Sequence, residues 1–387
     1  MKYVDEFRDG DKARAIAGQI REEVQPNRVY HLMEFCGGHT HAIFRYGIPG
    51  LLPDNVRLIH GPGCPVCVLP IGRLDMAVEL ARRPDLILCT YGDMLRVPGS
   101  GRVSLMKVRA EGTDVRMLYS PADAIRIAQQ NPDKQVVFFA IGFETTTPPT
   151  ALVLEQAKKL NLGNFSVFCN HVLTPAAMHA ILNTPETDSG ALQLDGFIGP
   201  AHVSTVIGSA PYEPFPEQYA KPVVIAGFEP LDVLQAILML IRQLNDGRCE
   251  VENEFTRAVT RDGNAKAKAL VERVFELRPS FEWRGLGAIP ESALRIRPEY
   301  AEFDAEKRFG LTQLEGRENK ACECPAILRG VKNPRDCTLF GDPCTPDNPL
   351  GSCMVSSEGA CAAYYSYGRL SDSTKGESRI PAEEVSA

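Results

Sequence analysis

The sequence lacks several features that would identify whole classes of protein. It has no basic excess, since 42 Lys and Arg stand against 49 Asp and Glu for a net charge of -7. Phosphate binding requires a basic face, so nucleic acid is not the expected main partner. No stretch of about 18 uncharged apolar residues is present, so a membrane-spanning helix is not expected. The charged first ten residues contain no apolar core of a secretory signal, which predicts a cytoplasmic protein.

Cysteine, by contrast, is abundant and clustered. Of the 12 cysteines, two lie in GPGCPVC (61–67) and six fall between Cys322 and Cys361. Structural disulfides are rare in a reducing cytosol, so metal binding or thiol chemistry is the better explanation for the clustered cysteines. At 387 residues the chain is also long enough for two or three domains.

Apolar runs that alternate with helical patterns predict an α/β fold. Seven such runs cover residues 29–36, 56–63, 86–93, 136–144, 165–172, 196–203 and 223–230. Continuous β-rich runs separated by helices are typical of parallel sheets covered on both faces. A short repeat, Gly-Phe-Glu followed by a helix start, occurs within 138–146 and again within 223–232, and indicates two related sheet-to-helix turns.

Most of the polar motifs follow these predicted strands. CGGHTH (36–41) follows the first run and CPVC (64–67) follows the second. Later runs end at Asp93, Glu144, His171, His202 and Glu229. Ligands of open α/β sheets bind outside the carboxyl ends of the strands, so these residues are expected in one cleft or in two adjacent clefts.

The CPVC motif places two thiols on one face of a helix start. The free N–H groups and the dipole at that position stabilise a thiolate on Cys64 or Cys67. This arrangement is typical of a dithiol redox pair or of half a metal site. The alternative is that both cysteines are small buried apolar residues at a helix N-terminus.

CGGHTH supplies a thiol and two imidazoles within six residues. The glycines remove bulk next to Cys36, and His39 or His41 could act as a base, a ligand or a hydrogen-bond donor to a ligand. Together with Cys64 and Cys67, Cys36 would supply three thiolates, which leaves one coordination position open. For the histidines, the alternative is helix capping and core hydrogen bonding.

The C-terminal cysteines form a second candidate site. Cys324, Cys337, Cys344 and Cys361 are spaced C-x12-C-x6-C-x16-C in a loop-rich stretch that a metal could order. Four thiolates suit zinc or a [4Fe-4S] cluster equally well. Cys322 and Cys353 are alternative ligands, or a thiol pair beside the metal.

Other residues have structural interpretations. Cys89, Cys169 and Cys249 are predicted to be buried or incidental, and Glu144 and Glu229 are predicted helix caps, with a role in the cleft as the alternative. The turn 283–287, which carries the single Trp of the chain, is predicted to contribute packing. Residues 368–387 are polar and predict a mobile tail.

Taken together, the motifs resemble the HypD-type maturation proteins of [NiFe] hydrogenases. The matching stretches are MEFCGGHTHAIF (33–44), IHGPGCPVCVLPIGRLD (59–75), GFETTTP (142–148), GPAHVSTVIG (199–208), AGFEPLD (226–232), EWRGLG (282–287) and MVSSEGACAAYY (354–365). Because several long motifs occur in the family's order, the resemblance covers nearly the whole chain.

The resemblance implies two similar parallel-sheet α/β domains and a smaller, loop-rich iron-sulfur domain. Applied to this chain, it places domain I at 28–118 with CGGHTH and GPGCPVC, and domain II at 119–240 with GFETT and GFEP. The third domain would combine 1–27 with 241–387. Its [4Fe-4S] ligands would be Cys324, Cys337, Cys344 and Cys361, with Cys322 or Cys353 as an alternative for the fourth.

The resemblance also implies a function as a scaffold or carrier with thiol-redox activity. Iron would be held on the scaffold while the Fe(CN)2CO group is assembled, with a small HypC-type chaperone and a HypE-type cyanide donor as partners. Cys36, Cys64 and Cys67 would be the residues of iron binding and thiol redox, and His39 or His41 would move protons or orient the incoming ligand. The alternatives are a stand-alone cluster-linked thiol-disulfide oxidoreductase and a zinc-stapled interaction module.

Overall fold

A computed structural model describes residues 5–372 of the chain, and most of the predicted tail at 368–387 lies outside this range. Within it, the strands are β1 Tyr30–Glu34, β2 Val56–His60, β3 Leu86–Tyr91, β4 Val115–Leu118, β5 Gln135–Gly142, β6 Phe165–His171, β7 Gly196–Pro200, β8 Val223–Ala226, β9 Val251–Asn253, β10 Phe275–Leu277, β11 Ser280–Trp283, β12 Gly287–Pro290 and β13 Leu294–Ile296.

The α-helices are α1 Gly10–Glu23, α2 Gly37–Arg45, α3 Ile48–Leu51, α4 Pro65–Val68, α5 Ile71–Ala81, α6 Leu105–Ala110, α7 Pro121–Gln130, α8 Thr147–Lys159, α9 Thr174–Leu182, α10 Pro185–Asp188, α11 Ala201–Ile207, α12 Pro214–Tyr219, α13 Pro230–Asp246, α14 Ala265–Val274, α15 Ala305–Arg308, α16 Cys324–Leu328 and α17 Ala360–Asp372. Short 3-10 helices cover Asp5–Phe7, Gly92–Leu95, Ser100–Arg102, Ala210–Tyr212, Pro298–Phe303, Pro334–Asp336 and Ser352–Met354.

Two parallel sheets form the centre of the molecule, which confirms the predicted fold class. Sheet A has the strand order β2-β1-β7-β8-β9, and sheet B has the order β4-β3-β5-β6. Every neighbouring pair within these sheets is parallel. Two short antiparallel pairs, β10 with β13 and β11 with β12, follow in the C-terminal part of the chain.

The predicted domain borders do not separate the two sheets. Residues 28–118 supply β1 and β2 to sheet A but β3 and β4 to sheet B, and residues 119–240 are divided between the sheets in the same way. The chain starts sheet A, crosses to build all of sheet B between residues 86 and 171, and returns to complete sheet A. Strands that are remote in sequence therefore share a sheet, as β1 and β7 do.

One continuous core joins the sheets to the cysteine-rich region. It contains inward-facing residues of sheet A such as Met33, inward-facing residues of sheet B such as Leu88, and C-terminal residues such as Cys353. Separate cores lie on the outer faces of sheet B and sheet A. Residues of the cysteine-rich region thus share this core with both sheets and are stabilised by packing against them.

Helix α1 packs on α13 at the outer face of sheet A, where Ala13 and Ile20 share a core with Ala363 of α17. At the end of α1, the Glu23 carbonyl accepts the side-chain amide of Asn245 at 2.6 Å. The C-terminal helix α17 packs on α2. In the part of the chain that the structure describes, every helix is too short or too polar to cross a membrane.

Candidate functional site

The carboxyl ends of the two sheets open onto one cleft of about 470 Å³. Its polar lining residues are Cys36, Tyr91, Asp93, Tyr119, Thr145, Thr146, His202, Ser356, Ser357 and Glu358. The loops after strands of both sheets therefore contribute, together with a segment of the C-terminal region. Asp93 and His202 line the cleft with Cys36 as the sequence predicted, whereas Glu144, His171 and Glu229 are not among its lining residues.

Cys36 is fixed at the start of α2 by the buried carboxylate of Glu34. The Cys36 N–H donates to this carboxylate at 3.0 Å, and the Nδ1 of His60 lies 2.6 Å from it. Thr40 donates its hydroxyl to the same carboxylate from one turn further along α2. The last residues of β1 and β2 therefore hold the backbone of Cys36 at the carboxyl end of sheet A.

Two glycines allow the chain segments around Cys36 to approach each other. A Cβ on Gly63 would lie 2.4 Å from the backbone nitrogen of Cys36, and a Cβ on Gly37 would lie 2.3 Å from the Cβ of Glu358. Any side chain at either position would push these segments apart. The GPG turn and the first glycine of CGGHTH thus bring the CPVC motif and the C-terminal region against Cys36.

The cleft is an acidic environment that is partly open to solvent, since Cys36 is partly exposed and Glu358 is exposed. Burial by the cleft walls, followed by the charge of Glu358, raises the pKa of the Cys36 thiol above its ordinary value. Loss of solvation and the neighbouring Asp93 also raise the pKa of Glu358. Among the described residues that line the cleft there is no Lys or Arg. The charged lining groups are carboxylates, which suit a bound cation.

Cys64 and Cys67 form a disulfide in this structure. Both are buried, with 3% and 0% of their surface exposed. Cys64 is the N-cap of α4, and its sulfur accepts the Cys67 N–H at 3.2 Å. The sequence thus predicted correctly that the motif starts a helix. With the sulfurs joined, neither is a free thiolate ligand in this state.

The disulfide lies against the C-terminal region on its buried side. The hydroxyl of Ser352 donates to the Cys67 carbonyl at 3.0 Å, and the Cys67 sulfur lies 3.9 Å from the Ser352 carbonyl oxygen. The next residue, Cys353, donates its N–H to the sulfur of Cys324 at 3.3 Å. Ser352 and Cys353 therefore connect the disulfide to the C-terminal cysteines.

The C-terminal cysteines surround a small enclosed pocket, here called the cysteine pocket. Its lining thiols are those of Cys322, Cys324, Cys337, Cys344 and Cys361. A Cβ on Gly351 would lie 2.4 Å from the Cys322 sulfur. Contact with Cys324, assisted by the charge of Arg284, lowers the pKa of the Cys322 thiol to about 7. The structure brings together all four cysteines that were predicted as cluster ligands and adds Cys322.

The donor set of the cysteine pocket fits a thiolate-bound cluster. A [4Fe-4S] cluster takes four cysteine thiolates, and five thiols line the pocket. The surrounding side chains include Ile327, Phe340 and Met354, so the wall between the thiols is apolar. Within residues 5–372, no group of three or more His, Cys, Asp or Glu side chains meets the geometry expected around a single metal ion.

The two histidines of CGGHTH face away from the cleft lining. The Nε2 of His39 lies 2.9 Å from the carbonyl oxygen of Ala226 and 3.0 Å from that of Gly227, and its ring packs on Phe228. Burial lowers the pKa of His39, which favours the neutral ring. His41 packs edge-on against Tyr367 of α17. These positions match the alternative role in core hydrogen bonding and packing.

The two Gly-Phe-Glu turns differ in what the glutamate contacts. Glu229 is the N-cap of its own helix α13, as predicted. Glu144 instead accepts the N–H of Thr174, at 2.8 Å, and its hydroxyl at 3.0 Å, so it caps α9 rather than the helix that follows it. Burial raises the pKa of Glu144 to about 7. Glu144 also lines a larger cavity of about 870 Å³, together with residues of α9.

One cleft residue gained importance only from the structure. Glu358 lies three residues before Cys361, within a motif that drew attention for its cysteine, and no local pattern set it apart. His202, which was predicted in the cleft, lines it, and its ring packs at a tilt against Phe228 with the ring centroids 4.1 Å apart. Cys89 and Cys169 are buried as predicted, and Cys249 is partly buried.

Comparison with known proteins identifies relatives along nearly the whole chain. Residues 11–368 match the family model HypD, described as the hydrogenase formation hypA family. The chain is 78% identical over 369 residues to the hydrogenase expression/formation protein HupD of Azotobacter chroococcum, covering 95% of this chain and 97% of that protein. It is 45% identical over 372 residues to the hydrogenase maturation factor HypD of Escherichia coli, covering 95% and 98%.

Proposed function

Because the chain belongs to the HypD family of hydrogenase maturation factors, we propose that it holds an iron ion at Cys36 while the Fe(CN)2CO group of a [NiFe] hydrogenase is assembled. The observation that carries this proposal is the position of Cys36. Among the described residues that line the cleft it is the one cysteine, and Glu34 fixes its backbone. The sulfur of Cys36, which gives up its proton when it binds a metal, is a soft ligand that suits iron.

The iron is a cargo, so its site must remain open. One thiolate from Cys36 leaves most of the coordination positions to other groups. The cleft, with about 470 Å³ of space, can admit both added ligands and a segment of a second protein. We therefore propose that a small HypC-type partner supplies a further thiol, and that a HypE-type donor delivers cyanide into the cleft.

The Cys64–Cys67 disulfide is proposed to act as the redox element beside the iron. Its reduction breaks the S–S bond, consumes two electrons and two protons, and produces two thiols. Gly63 packs on the backbone of Cys36, and Cys64 is the next residue in the chain after Gly63. An external one-electron reductant, used twice, supplies the electrons. The reduced thiols then become available as iron ligands.

The cysteine pocket is proposed to hold a [4Fe-4S] cluster through Cys324, Cys337, Cys344 and Cys361. When bound, such a cluster supplies one-electron transfer. The residues Ser352 and Cys353 support this placement, because one contacts Cys67 and the next contacts Cys324. Cys322 lines the same pocket and is the alternative fourth ligand.

Proton transfer in the cleft is assigned to Glu358 and His202 rather than to His39 or His41. Glu358 and His202 both line the cleft with Cys36. The raised pKa of Glu358 allows it to retain a proton to higher pH than an ordinary carboxyl. His39 is occupied by two backbone carbonyls, and we propose that it orients the end of β8 instead.

The burial of the disulfide weighs against the stand-alone oxidoreductase. An enzyme that reduces protein disulfides must present a reactive sulfur to its substrate. Here Cys64 and Cys67 are 3% and 0% exposed, so a second protein has little access to either sulfur. The disulfide is better placed to serve a reaction within this chain.

Metal analysis and infrared spectroscopy of the anaerobically purified chain in complex with its small partner test the proposal. We expect cluster iron with acid-labile sulfide, together with bands in the cyanide and carbonyl stretching regions. Cluster iron without these bands would favour the stand-alone oxidoreductase. Zinc without iron or sulfide would favour the interaction module.

A further inference from the structure

A buried arginine lies between the disulfide and the cysteine pocket. Arg284 is the first residue of the turn that joins β11 to β12, and only 5% of its surface is exposed. The sequence suggested packing for this turn, and Trp283 fulfils that role with 1% exposure. Packing alone does not explain a guanidinium at the next position, because burying a charge is unfavourable unless it finds a partner.

The turn contacts both thiol sites through its backbone. The N–H of Arg284 donates to the carbonyl of Val68, the residue after Cys67, at 2.7 Å. On the other side, a Cβ on Gly285 would lie 2.9 Å from the Cα of Pro325, the residue after Cys324. Gly285 adopts a positive φ of 84° there, which favours glycine. Neither thiol site can move relative to Arg284 without breaking one of these contacts.

The guanidinium is only partly compensated by the protein. Its Nε lies 3.3 Å from a carboxylate oxygen of Glu318, but Nε and Nη2 are both buried without a hydrogen-bond partner in the described part of the chain. The Glu318 side chain is 43% exposed, so solvent screens its charge. A net positive charge with free donors therefore remains next to Gly285, which packs on Pro325, the residue after Cys324.

We propose that Arg284 tunes the redox centre, by supplying the buried positive charge that stabilises the reduced, more negative state of a thiolate-bound cluster in the cysteine pocket. This inference rests on the proposed function, which places a cluster there. Each electron added to such a cluster raises its negative charge by one. Cluster potentials depend on the net charge around the cluster, and a buried guanidinium supplies a positive one.

The inference predicts opposite effects for two neighbouring substitutions. Arg284→Gln removes the positive charge, so one-electron reduction should become about tenfold less favourable, equivalent to about 59 mV. Glu318→Gln removes the opposing charge, so reduction should become about twofold to threefold more favourable, a smaller change because Glu318 is half-exposed. Arg284→Lys retains the charge and should remain within about threefold of the wild-type value.

The test is a redox titration of the reconstituted full-length chain with dithionite, followed by electron paramagnetic resonance. Shifts of opposite sign in Arg284→Gln and Glu318→Gln, with Arg284→Lys near wild type, would support the inference. Should Arg284→Gln fail to fold, Glu318→Gln and Arg284→Lys provide the test. Unchanged potentials, or equal shifts in both neutral variants, would overturn it and leave the proposed function standing. A wild-type chain that takes up no iron or sulfide would overturn both.

Discussion

The hydroxyl of Ser352 donates a hydrogen bond to the backbone carbonyl of Cys67 at 3.0 Å. This contact spans 285 residues of sequence and connects the disulfide helix α4 to the segment that carries Cys353. Since Cys353 in turn contacts the sulfur of Cys324, the two thiol sites share one rigid, buried connection. Small changes in this connection should therefore affect the stability of the region.

Ser352→Ala should lower the free energy of unfolding by about 1 kcal/mol, because it removes one buried hydrogen bond to Cys67. The measurement is urea unfolding of the purified chain. Ser357→Ala, in the same segment but exposed, is the matched control and should change stability by less than about 0.5 kcal/mol. Equal effects of the two substitutions would show that the Ser352 contact has no special importance.

Cys324→Ala should abolish cluster uptake, whereas Cys353→Ala should retain it. Cys324 lines the cysteine pocket, but Cys353 is not among the lining residues. Iron and acid-labile sulfide per chain after anaerobic reconstitution provide the measurement. Loss of iron in Cys353→Ala to the level of Cys324→Ala would instead make Cys353 a ligand.

Glu144 should make stability depend on pH between about 4.5 and 7. Its pKa rises from 4.5 to about 7 in the folded chain, so the folded state binds the extra proton in this window. The associated stability is present below pH 4.5 and is lost as pH rises through 7, by about 3 kcal/mol in total. Unfolding of the wild type and of Glu144→Gln, measured from pH 5 to 7.5, tests this.

As pH rises through that range, the wild type should lose free energy of unfolding and Glu144→Gln should not. The difference between the two should therefore grow in favour of Glu144→Gln. A glutamine cannot titrate, and its oxygen can still accept the N–H of Thr174. The exposed Glu217→Gln serves as the control and should follow the wild-type profile. Parallel profiles for the wild type and Glu144→Gln would exclude the buried carboxyl as the source of the pH dependence.

The class of fold could be read from the sequence, but the membership of each sheet could not. Leu86–Tyr91 and Val223–Ala226 are both buried apolar strands that follow helices, and their local patterns are alike. Only long-range pairing places the first in sheet B and the second in sheet A. Hydrophobic periodicity reports burial and secondary structure, and it carries little information about which strand is the neighbour.

Those parts of the candidate site that lie within one short sequence motif could be predicted. Contacts between residues far apart in sequence could not. The helix start at Cys64 and the predicted cluster cysteines depend on motifs a few residues long or on cysteine content. Glu358 reaches the cleft because Gly37 allows the C-terminal region to approach α2, and this proximity has no signature in either motif. Likewise, the preference of His39 for backbone carbonyls depends on β8, which lies about 190 residues away.

The central claim is that Cys36 holds the iron on which the cyanide and carbonyl ligands are assembled. Its most direct test is the infrared spectrum of the anaerobic complex with the small partner, recorded for the wild type, Cys36→Ala and Cys249→Ala. Cys249 is a partly buried cysteine that does not line the cleft, so it provides a matched control. We expect cyanide and carbonyl bands in the wild type and in Cys249→Ala, and their loss in Cys36→Ala. Bands that persist in Cys36→Ala would contradict the assignment of Cys36 as the iron ligand.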